Sequence, residues 1–236
     1  MEKLAYILWR PEGVAETMFR QRLTGAVTQR LMDAGALGVQ INVVDDAVRP
    51  ADKTRQVNST PAADAMAFIW VRSAIESPRL ERILLEASRG LAGYLVTESE
   101  PIANTKHISE PGQRTPGYSQ VVFLQKPHRM TYEGWLDYWL KQHTKVAIET
   151  QSNFRYVQNV IVRALTCAAP AWDAIVEECF PAEAMTNPMA FFNAKDDEEK
   201  FRKNQQAMIE SCMKFIDFDR MNVIPTSEYA LKKRNI

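Results

Sequence analysis

Cysteine is scarce in this chain: Cys167, Cys179 and Cys212 are an odd number of thiols without metal-ligand spacing. They exclude a disulfide framework and read as reduced thiols of a cytoplasmic protein. Charge of one sign is also missing, since 29 Lys and Arg face 29 Asp and Glu. That balance argues against a nucleic-acid or anionic-membrane partner recognised through a broad basic face. Long apolar runs are absent. The LAYILW run at residues 4–9 has no basic leader and no small-residue cleavage site, and nothing approaches the length of a membrane span. The three histidines lie far apart without carboxylates at ligand spacing, so no metal site is expected. Glycine-rich phosphate loops, dinucleotide fingerprints and serine elbows are missing too.

What is present is a strongly amphipathic stretch over residues 131–157. Trp135, Trp139, His143 and Val146 share one helical stripe, and Glu133, Asp137, Lys141 and Lys145 share another. Thr131 is placed to cap the helix, with Glu133 in its first turn and Asp137 paired to Lys141 at i,i+4. Two tryptophans on one face imply deep packing or a cavity wall, with His143 at the buried edge. A lone histidine there is most often a core residue with one satisfied hydrogen bond, and that reading stands beside a functional one.

The rest of the chain alternates short strands and helices. Strands are expected at residues 4–9, 37–44, 65–71 and from 94 to about 102, with helices at 15–34 and from Ser77-Pro78 onward. Residues 45–63 read as a loop. Residues 104–117, with Pro111, Gly112, Pro116 and Gly117, read as the linker. The order then restarts: strands at 118–124, 156–165, 172–180 and 221–224, helices at 131–157 and 196–218, and a charged tail with Lys232, Lys233 and Arg234.

The two halves align as a repeat. Pro11 matches Pro127, Phe19 matches Trp135 and Leu23 matches Trp139 at one constant offset. Gln40-Ile41-Asn42-Val43-Val44 resembles Gln158-Asn159-Val160-Ile161-Val162, and Asp64-Ala65 resembles Asp173-Ala174. Each half reads β-α-β-β-α-β, the ferredoxin-like order. Strands as uniformly apolar as AMAFIWV at 65–71 have both faces buried. The expected fold is therefore α+β: two ferredoxin-like repeats, residues 1–103 and 118–236 around the 104–117 linker, fused into a pseudo-dimeric barrel.

The second half resembles the EthD family of dimeric α+β-barrel proteins. The resemblance rests on Trp135, Tyr138-Trp139 and His143, then Phe154-Arg155-Tyr156-Val157-Gln158-Asn159, with Asp173 to Phe180 and Phe215-Ile216-Asp217 in support. It covers residues 118–227, while the first half shares the architecture without the motif. It implies a cofactor-independent lyase, isomerase or monooxygenase acting on a small aromatic or polyketide-like molecule. It equally allows a non-catalytic, ligand-binding accessory protein of a degradation or biosynthetic pathway. His143 and Glu177 are the implied acid/base pair. Glu178 stands where the family usually has an apolar residue, and strand alternation puts it on the opposite face from Glu177. Trp135, Tyr138, Trp139, Tyr156 and Gln158 are the implied ligand contacts. Family members usually pair two chains, which leaves room for a homodimer of the fused barrel. Many relatives carry a second histidine where this chain has Val160.

Overall fold

The computed structural model describes residues 1–58 and 61–232. The tail residues Lys233 and Arg234 lie outside them. The first half runs β1 (Glu2–Trp9), α1 (Glu16–Arg22), a π-helical segment (Leu23–Val27), α2 (Thr28–Asp33), β2 (Gly38–Val43), a 3-10 helix (Asp46–Thr54), β3 (Gln56–Val57), β4 (Ala65–Val71), α3 (Ser77–Leu85) and β5 (Gly90–Ile102). The second half runs β6 (Tyr118–Leu124), α4 (Tyr132–Asp137), a π-helical segment (Tyr138–His143), α5 (Thr144–Thr150), β7 (Arg155–Ala164), β8 (Ala174–Phe180), α6 (Pro188–Phe191), α7 (Glu198–Phe215) and β9 (Met221–Lys232).

Eight strands close an antiparallel barrel in the order β2-β4-β1-β5-β7-β8-β6-β9, with β9 pairing back to β2. Each half supplies its strands in the same internal order, second-third-first-fourth. The seams between halves, β5 with β7 and β9 with β2, therefore join equivalent strands. Hydrogen bonding is continuous around the wall, leaving no edge in the barrel proper. The apolar strands have two buried faces because one lines the barrel and the other lies under helices. Ala5, Ile7, Phe68, Tyr94, Val121, Phe123 and Ile175 fill the interior. Leu4, Leu8, Phe19, Leu23 and Leu31 pack the first half's outer layer, and Trp135, Trp139, Tyr156, Met208 and Phe215 pack the second's.

Both long helices carry a π turn at the same aligned place. Thr28 Oγ1 donates to the Leu23 carbonyl at 2.7 Å, and Thr144 Oγ1 to the Trp139 carbonyl at 2.8 Å. In each case a buried threonine reaches five residues back and satisfies a carbonyl of the widened turn.

Three expectations change. The stretch at 45–63 is partly structured: Asp45 caps the 3-10 helix by accepting from the Ala47 amide, and β3 pairs with β9. The last strand is not four residues but twelve, running past Pro225, which falls between the β3 and β2 pairings where the ladder on that side is interrupted. The repeat register around Gln40 shifts by one. Asn42 faces Met66 as Asn159 faces Ile175, so Asn42 matches Asn159, and Gln40 matches Val157 rather than Gln158. A one-residue slip changes the face: Gln40 points into the barrel and Gln158 toward the helices, as their partners Glu177 and Thr144 show.

Candidate functional site

β8 carries adjacent glutamates, and its alternation sends them to opposite sides of the wall. Glu177 enters the barrel. It is fully buried, accepts from Gln40 Nε2 at 2.6 Å and Asn42 Nδ2 at 2.9 Å, and pairs with Arg155 Nη1 at 3.1 Å. Burial would raise its pKa, but the Arg155 and Lys3 charges and the two amide bonds outweigh that and hold it below the ordinary carboxylate value. Arg155 Nη1 also meets Glu228, whose carboxyl is pushed up by burial and by its neighbour Glu177. Glu177, Glu228 and the Cys179 thiol converge closely enough to suggest metal ligands. The guanidinium of Arg155 already supplies the cation between the two carboxylates. Glu177 is thus held by fixed partners inside the barrel and separated from His143 by the sheet, so the expected His143–Glu177 pair is not assembled.

Glu178 faces the helices, where His143 is. Both line a cavity of about 120 Å³ between the outer face of the sheet and the helical layer. Its walls include Val122, Trp139, Tyr156, Val176, Met208, Cys212 and Phe215. Glu178 is 8% exposed, and its only hydrogen-bond donor among the described residues is Asn153 Nδ2 at 2.9 Å. Burial, opposed by that single bond, raises its pKa to about 7. His143 is 7% exposed, and burial lowers its pKa to about 4. Its Nδ1 shares a hydrogen bond with Ser211 Oγ at 2.9 Å, and Ser211 in turn meets the Tyr138 hydroxyl at 3.2 Å. Phe215 packs on the imidazole with ring centroids 4.4 Å apart. Nε2 has no hydrogen-bond partner among the described residues. Gln151, at the end of α5, also lines the cavity, and its buried Oε1 has no partner among the described residues. At neutral pH the cavity therefore offers a neutral imidazole, a carboxyl balanced between its two forms, and an unmet acceptor.

The other expected contacts divide. Trp139 and Tyr156 line the cavity and bond to each other, Trp139 Nε1 donating to the Tyr156 hydroxyl at 3.2 Å. Gln158 lies behind them, donating to Thr144 Oγ1 at 2.7 Å. Trp135 is fully buried and donates to the Phe215 carbonyl at 3.1 Å, anchoring α4 to α7. Tyr138 reaches the site through Ser211 and through Phe215, on which its ring packs. Sequence reasoning missed Glu178, Gln151 and Ser211. For Glu178 the signal was the face it shares with Tyr156, its cross-strand partner. For Ser211 it was a small polar residue in the buried stripe of Met208 and Phe215.

Residues 127–219 match the model of the EthD domain. No curated protein matches the chain in sequence. Among solved structures, an anthrone oxidase-like protein aligns over 99% of this chain and 94% of its own with a TM-score of 0.57 at 11% identity. A chlorite dismutase variant from Candidatus Nitrospira defluvii aligns over 98% of this chain and 92% of its own, with a TM-score of 0.48 at 10% identity. The first likeness establishes the α+β barrel fold. No helix among the described residues is long and apolar enough to cross a membrane.

Proposed function

We propose, from the EthD domain in the second half of this chain, that the protein moves protons on a small, ring-bearing molecule held in the His143 cavity, using side chains alone. Glu178 is the acid/base and His143 the group that hydrogen-bonds the substrate's oxygen. The observation that carries this is the placement of both residues on one mostly apolar cavity, with Glu178 held by a single protein donor among the described residues. A carboxyl with a pKa of about 7 gives and takes protons equally well near neutrality, as proton transfer to and from carbon requires. A neutral imidazole anchored through Nδ1 presents Nε2 in a fixed direction, and the orphaned Gln151 oxygen is matched by a ligand hydroxyl. Enolisation of a ring ketone or protonation of a phenolic ring is chemistry of this kind, and isomerase and lyase reactions share it. The name of the anthrone oxidase-like neighbour is in keeping with an aromatic substrate. A cavity of about 120 Å³, however, is close to what a single benzene-sized ring fills.

The shared strand order, the paired π turns and the equivalent seams support a second element of this reading: two fused ferredoxin-like repeats acting as a pseudo-dimer, with the site confined to the second.

The test pairs binding with exchange. A panel of monocyclic phenols and cyclic enones would be screened by thermal shift, and binders followed in D₂O by proton NMR for exchange at carbon. The wild-type protein is expected to catalyse exchange. Glu178→Gln should keep binding and lose exchange by at least a hundredfold, the usual contribution of a general acid or base. Exchange unaffected by Glu178→Gln would overturn the assignment. Binding without exchange in the wild type would support the accessory, non-catalytic role.

A further inference from the structure

The His143 cavity lies beside a second one. Gln120, Met221 and Val223, which form one of its walls, also line a second and larger cleft of about 470 Å³. This cleft runs outward across β6 and β9. On one side stand Met185, Phe191 and Phe192, from the segment between β8 and α7, and on the other Pro50, Lys53 and Thr54 of the first half's 3-10 helix. Phe218 also lines the cleft and is 46% exposed, unusual for a phenylalanine with no other task.

Its walls are fixed. Asp45, at the start of the 3-10 helix, accepts from Ser227 Oγ at 2.7 Å, Tyr229 Oη at 3.2 Å and Arg20 Nη1 at 3.1 Å. Opposite, Phe180, Phe191 and Phe192 are in ring contact at 4.6 and 5.0 Å between successive centroids. At the junction of cavity and cleft stands Gln120, which makes no side-chain hydrogen bond among the described residues. The lining of the cleft is otherwise mainly apolar, and its one charged member is Lys53, exposed and without an ion pair among the described residues. A ring-sized chamber sharing a wall with an apolar cleft that carries one cation is a shape with an order of parts.

We infer that the ligand is an elongated amphiphile: one ring in the His143 cavity, an apolar chain along the Phe191–Phe192 cleft, and an anionic end at Lys53. This rests on the proposed reading of the cavity and adds the ligand's length, charge and orientation. It also gives the first half a task, since the 3-10 helix that carries Lys53 belongs to it. The ring alone is too small to account for the exposed apolar surface beside the cavity, and burying a chain there removes that surface from water.

The test is a calorimetric series of ω-(4-hydroxyphenyl)alkanoates of increasing chain length, each compared with its neutral primary amide and with phenol. Affinity is expected to rise about two- to fourfold per methylene while the chain remains in the cleft. Once the carboxylate reaches the rim, the acid should bind about fivefold more tightly than the amide, an advantage that disappears in Lys53→Ala. Phe218→Ala should flatten the chain-length dependence. Both substitutions are on exposed residues, and phenol should bind them as it binds the wild type. Phenol binding with no dependence on length or charge overturns this inference and leaves the cavity reading intact. An unchanged acid-to-amide ratio in Lys53→Ala overturns the placement of the anionic end. Failure of phenol and of every longer ligand overturns both readings.

Discussion

The space between helices and sheet is filled in one half of the molecule and hollow in the other. In the first half, Tyr6 lies over Gly93: a Cβ on that glycine would stand 2.5 Å from the Tyr6 ring. The strand register puts Val122 and Val223 at the matching positions of the second half, and both line the cavity. Leu4, Val27 and Ile69 of the first half correspond to Gln120, His143 and Glu178 of the second, so each of these three polar groups of the hollow side replaces an aliphatic one. The backbone differs little, and both halves keep the π turn with its threonine bond. A π turn is therefore not a sufficient sign of a site in this chain, although such turns gather at functional sites in general. The site comes from side chains: one ring withdrawn from the space and three polar groups placed around what it left.

The sharpest way to test that division is to damage what the halves share. Arg155 bridges Glu177 and Glu228 inside the barrel. Arg155→Met should cost about 3–5 kcal/mol in chemical denaturation, because breaking a buried pair leaves its carboxylates uncompensated. The loss should be one cooperative transition for the whole chain. Two separated transitions would mean that the halves stand independently.

The next effect belongs to the second half alone. Glu178 has a folded pKa of about 7 against an ordinary value of 4.5. The folded state therefore binds more protons than the unfolded chain between these values. Stability should fall as pH rises through that window, by about 3 kcal/mol in all. Glu178→Gln should remove this slope and leave the protein more stable than wild type at pH 8. His143 has the opposite sense: with its pKa lowered from 6.5 to about 4, it contributes a loss of stability as pH falls through that interval. Urea melts from pH 4 to 8 separate the two.

Val122→Tyr would give the second half the first half's filling. Phenol affinity should fall at least tenfold in calorimetry while far-UV circular dichroism stays unchanged. Val223→Gly, added to make the room that Gly93 makes for Tyr6, should restore any stability the larger ring costs. Retained phenol binding in Val122→Tyr would place the ligand elsewhere. The smallest effect expected is one common to both sides. Thr28→Val removes one buried hydrogen bond to a π-turn carbonyl and should cost about 1 kcal/mol in denaturant melts, while Thr144→Val also removes the acceptor of Gln158 Nε2 and should cost about 2 kcal/mol.

Much of this architecture could be read from the residues. The constant offset of Phe19 and Leu23 against Trp135 and Trp139 matches two helices that carry their π turns at corresponding places, and uniformly apolar strands implied a wall buried on both faces. His143 was visible as the polar member of a buried stripe. Less legible was anything decided by a single step along a strand. Glu177 and Glu178 are chemically identical, and only the pairing partners of β8 say which faces the helices. Gln40 and Gln158 look equivalent in sequence and lie on opposite faces for the same reason. The 3-10 helix at Asp46–Thr54 was hidden because Pro50 and a polar composition read as loop, while its cap, Asp45, is held by residues far away in sequence.

The choice between the two glutamates can be observed directly. With ¹³C-labelled glutamate, the side-chain carboxyl carbons of Glu177 and Glu178 would be followed by NMR from pH 4 to 9, with and without saturating phenol. Glu178 is expected to titrate near pH 7 and to shift its midpoint when phenol fills the cavity, while Glu177 stays ionised through the neutral range and does not respond. A Glu178 carboxyl that titrates in the ordinary carboxylate range, or a phenol-induced change at Glu177 instead, would contradict the assignment of the site to the helix face of β8.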